Sequence, residues 1–276
     1  MSKTDLPVIG AALNIMNVKL LKPWLFEKNR DVEIQDFVYP SVMDGDWQGI
    51  VSLYEQHFAG FEGRIGIHGP FFGLDLAATD PEIQNVIRNR MFQGLDICEA
   101  LGATHMVVHS PFTHWNDLNF GNSDNLKSQI YEACHACLDP VVARAEDQGC
   151  MLVIENIEDV DPMERVRLAE SFDSDAVKVS IDTGHANCAR GASGAPPVDY
   201  FVKTAGKQLG HVHLQDTDGY ADRHWLPGLG TICWPAVFEA LRNYSENPRL
   251  VVEVFGSYVA DIPVCIARFE EQGLAQ

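Results

Sequence analysis

The chain has 276 residues, of which 46% are hydrophobic and 21% charged, a composition typical of a globular protein with a large core. No apolar run is long enough to span a bilayer, and no secretory signal segment opens the chain. The net charge of −19 opposes binding to a phosphate backbone and favours a small-molecule partner.

Short β-rich runs alternate with helical patterns along the whole chain. Most of the runs are nearly continuous in apolar residues, as expected of parallel strands that are covered on both faces. The eight predicted strands are Val8–Leu13, Val32–Val38, Arg64–His68, His105–His109, Met151–Glu155, Val177–Asp182, Leu209–Gln215 and Leu250–Val254.

The segments between these runs carry helix signals. Thr79-Asp-Pro-Glu82 supplies an N-cap, a first-turn proline and a capping-box pattern, and Gly102 ends that helix. A second long helical pattern opens at Asn122–Asp124 and ends at Gly149. We expect this second helix to be bent or broken near Pro140, because proline removes a backbone donor and clashes with the preceding turn.

Eight βα units in 276 residues average about 35 residues each, the size of one crossover unit. A doubly wound sheet is the alternative, but the positions of the polar residues favour a closed barrel. No linker, low-complexity tract or shift in composition indicates a second domain. The sequence therefore predicts an α/β fold, a (β/α)8 TIM barrel that forms one domain over residues 1–276.

The seven cysteines are scattered along the chain and do not form the pattern of a disulfide framework. Cys134 and Cys137 are the only close pair, and their helical context predicts a buried helix face. These features predict a cytoplasmic protein. They leave the oligomeric state open, with a homo-oligomer among the alternatives.

The third to eighth predicted strands each place a His, Asp or Glu at the carboxyl end or in the loop that follows. In a parallel barrel these ends converge on one mouth, where the βα loops form the active site. The residues are His68, His109, Glu155, Asp182, His185, His213, Asp222, His224 and Glu253. His211, two positions before His213, points to the same face of its strand and is expected one layer deeper in the barrel.

Taken singly, these residues have structural interpretations. A strand-end histidine is more often a hydrogen-bonded structural group than a ligand, and Asp182 could simply cap the next helix. Taken together, four carboxylates and five imidazoles with only Arg223 nearby would repel one another strongly without cations. Imidazole and carboxylate ligands suit zinc, manganese or iron. We therefore predict a divalent metal site at the mouth.

The chain resembles the xylose isomerase-like barrel superfamily, which contains sugar isomerases and epimerases and also endonuclease IV. The motifs "IDTGHA", "HVHLQD" and "PGLG" carry the resemblance, which extends from about Ile65 to Gly256. In the sugar epimerases four ligands hold a single metal, and His185 matches a substrate-binding position. The matching ligand positions here are Glu155, Asp182, His213 and Glu253.

The endonuclease IV branch uses nine ligands for three zinc ions, and all nine positions named above have a match in this chain. The resemblance thus implies one to three divalent ions per chain, zinc or manganese. The segment Asp222-Arg-His224 is not expected of a simple epimerase and favours the larger number.

The rim of the predicted site departs from the nuclease pattern. The loop after the second strand, "DFVYPSVMDGDWQG", contains Asp36, Asp44 and Asp46 and no basic residue. Phe71 stands where endonuclease IV has a DNA-contacting tyrosine, and "IEDVDPMER" replaces a glycine-rich run. Recognition of a phosphate backbone needs donors and positive charge, so we do not expect a nucleic acid partner.

The leading hypothesis is a metal-dependent isomerase or epimerase of a sugar or sugar-like polyhydroxy ketone, acting by proton transfer at a metal-stabilised enediolate. Glu155 and Glu253 would stand on opposite sides of the substrate as acid and base. His185 would bind a substrate oxygen or a further metal. Four aromatic residues in the mouth loops would either stack on a sugar ring or pack the loops: Phe71, Phe72, Trp115 and Trp225.

The alternative is an endonuclease IV-like phosphoesterase, related to the family 2 AP endonucleases, with a multinuclear zinc site suited to activating water. The count of nine ligands favours this alternative, and the acidic rim disfavours DNA as its substrate. A third hypothesis, a non-catalytic binding protein, is disfavoured by so complete a ligand set.

Overall fold

The computed structural model describes residues 6–276. Eight parallel strands close into a barrel in sequence order, with the last strand paired to the first, which confirms the predicted (β/α)8 fold. The strands are β1 Ile9–Leu13, β2 Val32–Ile34, β3 Ile65–His68, β4 His105–His109, β5 Met151–Glu155, β6 Val177–Asp182, β7 Leu209–Leu214 and β8 Arg249–Val252.

Helices follow the strands and pack on one another around the barrel, as α4 does on α6 and α9 on α10. Within residues 6–276, no helix combines the length and apolar character needed to span a membrane. The helices are α1 Ile15–Glu27, α2 Pro40–Met43, α3 Trp47–His57, α4 Pro81–Leu101, α5 His114–Asn119, α6 Leu126–Gln148, α7 Pro162–Ser171, α8 Thr183–Ser193, α9 Val198–Ala205, α10 Trp234–Tyr244 and α11 Ile262–Glu271.

The second strand is shorter than predicted, because the chain leaves the extended conformation at Gln35, whose φ is −107° and ψ 5°. A 3₁₀ turn, Asp36–Val38, follows. The carboxylate of Asp36 accepts hydrogen bonds from the backbone of Ile15 and from the hydroxyl of Tyr54. These bonds join the turn to the first and third helices and replace the predicted continuation of the strand.

Helix α6 continues through Pro140 without the break that was one of the two predicted alternatives. The proline has no N–H to donate to the carbonyl of Ala136, four residues earlier. Arg88 of α4 donates a side-chain hydrogen bond to that same carbonyl. A neighbouring helix therefore satisfies the acceptor that the proline leaves free.

Strands β6 and β7 contain a register shift. Val179 pairs with Leu209, but the next residue, Ser180, pairs with His211, so one extra residue, Gly210, is accommodated in β7. Beyond this point Asp182 pairs with His213. Paired residues of neighbouring strands face the same side, and the shift therefore turns both histidines of β7 toward the barrel interior.

The hydrophobic core lies mainly between the barrel and the helices, where the buried aliphatic residues of both meet. Cys134 and Cys137 are buried in α6, as predicted, and all seven cysteines are unpaired. The interior of the barrel is polar instead, with Glu33, His105 and His211 fully buried. The carboxyl ends of the strands position the side chains described next.

Candidate metal centre

All nine predicted ligands lie together at the carboxyl ends of the strands. They form three groups, and within each group the candidate ligand atoms lie within 4.8 Å of one another. Glu155 belongs to two of the groups. The groups are His68, His109 and Glu155; Glu155, Asp182, His213 and Glu253; and His185, Asp222 and His224.

Glu155, at the end of β5, lies at the centre of the site and is almost fully buried. Its Oε1 atom is 2.8 Å from Nδ1 of His213 and 3.7 Å from Nδ1 of His185. Its Oε2 atom is 3.6 Å from Nε2 of His68 and 3.7 Å from Nε2 of His109 and has no hydrogen-bond partner within the described chain. A buried carboxylate oxygen without a partner is costly and is suited to a cation.

Asp182, the last residue of β6, uses its two oxygens differently. Oδ1 accepts the backbone N–H of His185 at 2.7 Å and so caps α8. Oδ2 is buried without a hydrogen-bond partner among residues 6–276 and lies 4.0 Å from Nδ1 of His213. The carboxylate is thus a helix cap on one side and a free acceptor on the other.

Two histidines present Nε2 to a carboxylate while backbone carbonyls face Nδ1. Nδ1 of His68 is 2.9 Å from the carbonyl of Gly69, and Nδ1 of His185 is 2.9 Å from that of Asn156. A proton on Nδ1 satisfies each carbonyl and leaves Nε2 as a lone-pair donor, the tautomer that metal-ligating histidines commonly adopt.

The third group depends on Gln215, which follows β7. Its side-chain amide donates to Asp182 at 3.1 Å and to Asp222 at 2.8 Å, and its oxygen accepts the backbone N–H of His224 at 3.0 Å. His224 has a φ of 48°, a strained value for a residue other than glycine. Gln215 therefore holds the loop of Asp222 and His224 against the end of β6.

The pKa values describe a cluster that holds protons when no cation is bound. Burial raises the pKa of Asp182 to about 6. Burial alone would lower the pKa of His224, but its hydrogen bond to Asp222 raises it to about 9. The pKa of His185 is likewise raised, against burial, by Asp182 and Asp222. These imidazolium charges balance the carboxylates, a role that divalent cations can take over.

The donor set is compatible with a divalent metal ion. Four carboxylates and five imidazoles converge, two buried carboxylate oxygens have no partner within residues 6–276, and the candidate atoms already lie within ligand-to-ligand distances. Mixed imidazole and carboxylate sites suit zinc and manganese. The residues present are therefore sufficient to hold such an ion.

A cavity of about 710 Å³ opens above the cluster. Phe71 lines it and stacks on His109 with ring centroids 4.2 Å apart, and Tyr39 stacks on Phe72 at 4.8 Å. Within residues 6–276 no lysine or arginine lines this cavity, whose apolar walls are Met16, Val38, Tyr39, Val42, Phe71, Phe72, Ile157 and Phe255.

Two residues that were predicted to contact the substrate, Trp115 and Trp225, lie outside the cavity lining among the described residues. Trp115 is in α5 with 72% of its surface exposed, and Trp225 forms a backbone bridge with Asp216. Neither is among the described residues that line the cavity. Two carboxylates of the acidic loop after β2 have structural roles, since Asp44 pairs with Arg90 and Asp46 caps α3.

The sequence prediction did not include Glu33, in the middle of β2. Its side chain is fully buried and lies 2.8 Å from Nε2 of His213. The available signal was a lone carboxylate within the apolar run "VEI", which is unusual for a strand covered on both faces. His211 lies beside it, one layer below the mouth, as predicted.

The fold and the residues at its mouth define a (β/α)8 barrel with a carboxylate and histidine centre. The chain belongs to the xylose isomerase-like TIM barrel family, whose model matches residues 31–272. The expected resemblance is thereby confirmed, and the matched region begins well before Ile65.

Two curated relatives give the level of sequence similarity. An uncharacterised protein of Methanocaldococcus jannaschii, MJ1311, is 25% identical over 203 residues, and a D-psicose 3-epimerase of Ruminiclostridium cellulolyticum is 27% identical over 196 residues. The alignments cover 70% and 68% of this chain. They span less than two thirds of the relatives, 65% and 62% respectively.

Solved structures match almost the whole chain. The TTHB071 protein of Thermus thermophilus, determined after soaking with ZnCl2, is 26% identical with a TM-score of 0.71 over 97% of both chains. A D-tagatose 3-epimerase-like protein has a TM-score of 0.73 at 20% identity, covering 95% of this chain and 96% of its own. The second likeness concerns the fold alone.

Proposed function

We propose that the protein is a metal-dependent isomerase or epimerase of a sugar or sugar-like polyhydroxy ketone. The observation that carries the proposal is the pair Glu155 and Glu253 at the floor of a cavity that no described lysine or arginine lines, with Nδ1 of His213 at 2.8 and 3.5 Å from their carboxylate oxygens. The D-psicose 3-epimerase among the relatives supports the same class of substrate.

The two glutamates are suited to removing and donating protons at a bound substrate. Glu155 ends β5 and Glu253 follows β8, and these strands stand three positions apart in the barrel. Glu155 has an oxygen without a hydrogen-bond partner in the described chain, and Glu253 is held by the side-chain amide of Gln35. One carboxylate can remove a proton next to the carbonyl while the other, in its protonated form, donates its own proton to the opposite face, and both carboxyl protons then exchange with solvent.

The remaining residues would bind the metal ion and orient the substrate. Asp182 and His213 would complete the ligands of a zinc or manganese ion, which when bound polarises the carbonyl as a Lewis acid. His185 would bind a substrate oxygen, and Phe71 would pack against the substrate chain or ring. The apolar residues that line the cavity would limit the access of water to the reacting carbon, which protects the enediolate from side reactions.

The test is solvent deuterium incorporation next to the carbonyl of polyhydroxy ketones, followed by NMR with manganese or zinc supplied. Glu253→Gln should lower the exchange rate by about 10²–10⁴-fold, the usual contribution of acid–base catalysis. Glu164→Gln provides a matched control, because this buried glutamate of α7 pairs with Lys127 of α6 and Arg167 of α7, outside the cluster. Equal exchange by Glu253→Gln and Glu164→Gln would refute the acid–base assignment.

A second candidate is hydrolysis of a small phosphate ester at a multinuclear zinc centre. The specific observation in its favour is the presence of two further ligand groups, one with His68 and His109 and one with His185, Asp222 and His224. Clustered cations can activate water and stabilise a leaving oxygen. Hydrolysis of a chromogenic phosphate ester that requires zinc and Asp222, without deuterium exchange into any ketose, would favour this candidate.

A further inference from the structure

Below the mouth, a second polar cluster occupies the interior of the barrel. One oxygen of Glu33 lies 2.8 Å from Nε2 of His213. The other lies 3.1 Å from Nε2 of His211 and 3.3 Å from Nε2 of His105. Ser180 is hydrogen-bonded to Nδ1 of His211 at 2.8 Å. All of these side chains are fully buried.

Such a cluster is unusual at this position. The interior of a TIM barrel is usually filled with layers of branched apolar side chains. A buried charge costs several kcal/mol of solvation, which only good partners offset. Packing alone does not require a carboxylate here, and three imidazoles converging on its oxygens indicate a specific role.

His213 connects this cluster to the mouth. Its Nε2 faces Glu33, while its Nδ1 faces Glu155 at 2.8 Å, Glu253 at 3.5 Å and Asp182 at 4.0 Å. A neutral imidazole carries a proton on one nitrogen and a lone pair on the other. If Nδ1 is to ligate a metal, the proton must sit on Nε2, and Glu33 is the acceptor placed to receive it.

We infer that Glu33 is a positioning residue of the metal centre: it accepts the Nε2–H of His213 and so aims the Nδ1 lone pair at the ion held by Glu155, Asp182 and Glu253. The inference rests on the metal site of the proposed function but not on the reaction that the site performs. A carboxylate in this position fixes the ring and makes the imidazole a stronger ligand.

The same residues could instead bind an additional metal, because Glu33, His211 and His213 also offer three closely spaced donor atoms. His213 would then have to ligate through both nitrogens, which requires loss of both ring protons. A hydrogen bond needs no such step and matches the 2.8 Å distance between Glu33 and Nε2. The hydrogen-bonded arrangement is therefore favoured.

The first test measures metal affinity in Glu33→Gln and Glu33→Leu by competition of zinc and manganese with a chelating dye. The Glu33→Gln variant should raise the dissociation constant of one metal equivalent by about 10–100-fold, as losses of such outer partners do, and Glu33→Leu by more. The other two ligand groups should keep their affinities. The Glu164→Gln variant is again the matched control for replacing a buried glutamate.

The second test measures ring protonation in the unmodified protein, and variants serve only to assign the signals. Histidine labelled with ¹⁵N, in the zinc-loaded protein, should show the His213 signal with its proton on Nε2 and Nδ1 bound to metal. A proton on Nδ1, or a His213 ring without any proton, would overturn the inference, the latter indicating the additional metal. His105→Ala and His213→Ala spectra serve to assign the signals.

The outcomes separate the two proposals. Absence of metal binding by the wild-type protein would remove the proposed function together with the role of Glu33. Normal metal binding by the wild type with a dissociation constant in Glu33→Gln within about twofold of it would remove only the role of Glu33. A loss of 10-fold or more in Glu33→Gln, with Glu164→Gln unchanged, supports the inference even if no ketose is turned over.

Discussion

Asp182 Oδ1 accepts the backbone N–H of His185 at 2.7 Å, and its Oδ2, 4.0 Å from Nδ1 of His213, has no hydrogen-bond partner among the described residues. Capping a helix and holding a metal are therefore compatible roles for one carboxylate. The cap also starts α8 at the mouth, which places the imidazole of His185 next to Asp222, with Nε2 3.3 Å from that carboxylate.

Substitution of Asp182 should separate the two roles. Asparagine also caps helices well, so Asp182→Asn should keep the thermal stability of the metal-free protein while weakening metal binding at least 10-fold. Asp182→Ala should lose both, including about 1 kcal/mol of stability for the missing cap. Thermal melts in chelator and metal titrations distinguish the two variants. Equal stability of Asp182→Asn and Asp182→Ala in chelator would contradict the capping role.

The number of metal ions should depend on Asp222. Three ligand groups predict up to three zinc equivalents at saturation, and Asp222→Ala should lose one. Glu155→Gln should weaken two, because Glu155 belongs to two groups, and should abolish turnover. Elemental analysis after dialysis against buffered zinc provides the count. A single equivalent in the wild type, unchanged in Asp222→Ala, would rule out a multinuclear centre.

Metal binding should release protons near neutral pH. In the metal-free protein the pKa of His224 is about 9, above its ordinary value, so the ring is protonated at pH 7 and must lose that proton to ligate. Affinity should therefore rise with pH and level off above about 9. Calorimetry in buffers of different ionisation enthalpy measures the protons released. A binding heat independent of the buffer would contradict the pKa shift.

DNA should not be a ligand. The chain carries 20 lysine and arginine residues against 39 acidic residues, and no lysine or arginine of the described residues lines the cavity. Cations bound at the cavity floor would hold one phosphate but would not follow a duplex. We expect neither binding nor incision of an abasic-site duplex at moderate salt with zinc or manganese supplied. Incision that disappears in Glu155→Gln would overturn this expectation.

A buried ion pair beside the site should dominate local stability. Arg165 and Asp159 are joined at 2.9 Å with both side chains fully buried. Arg165→Met leaves the Asp159 carboxylate without its partner and should cost about 3–5 kcal/mol in the free energy of unfolding. Urea unfolding measures the loss. The double variant Asp159→Asn with Arg165→Met should recover part of it, since the unpaired charge is gone.

The barrel could be predicted from sequence because buried parallel strands give an unmistakable local signal. The predicted bounds of β4, β5 and β6 are confirmed, since each is an apolar run that ends in a polar residue. The end of β2 was predicted wrongly because a distant contact, the bond between Asp36 and the backbone of Ile15, turns the chain there. Contacts of that kind leave no local pattern.

The residues of the candidate site also divide into those that could be predicted from the sequence and those that could not. Residues at strand ends could be placed, because barrel geometry brings all such ends to one mouth. Glu33 was missed because its significance comes only from the imidazoles across the barrel. Trp115 and Trp225 lie outside the cavity lining because the direction of a loop depends on its packing, as in the backbone bridge of Trp225 to Asp216.

The extra residue in β7 has a consequence for how such a site can be lost. Gly210 lies close to Lys178 and Met151, with little room for a side chain. If β7 instead paired with β6 in continuous register from Leu209, Gly210 would lie opposite Ser180, and Val212 rather than His213 would lie opposite Asp182. The chain would keep every candidate ligand residue, but the imidazoles of His211 and His213 would point into the hydrophobic core between the barrel and the helices. The integrity of the centre thus depends on a residue that has no functional group at all.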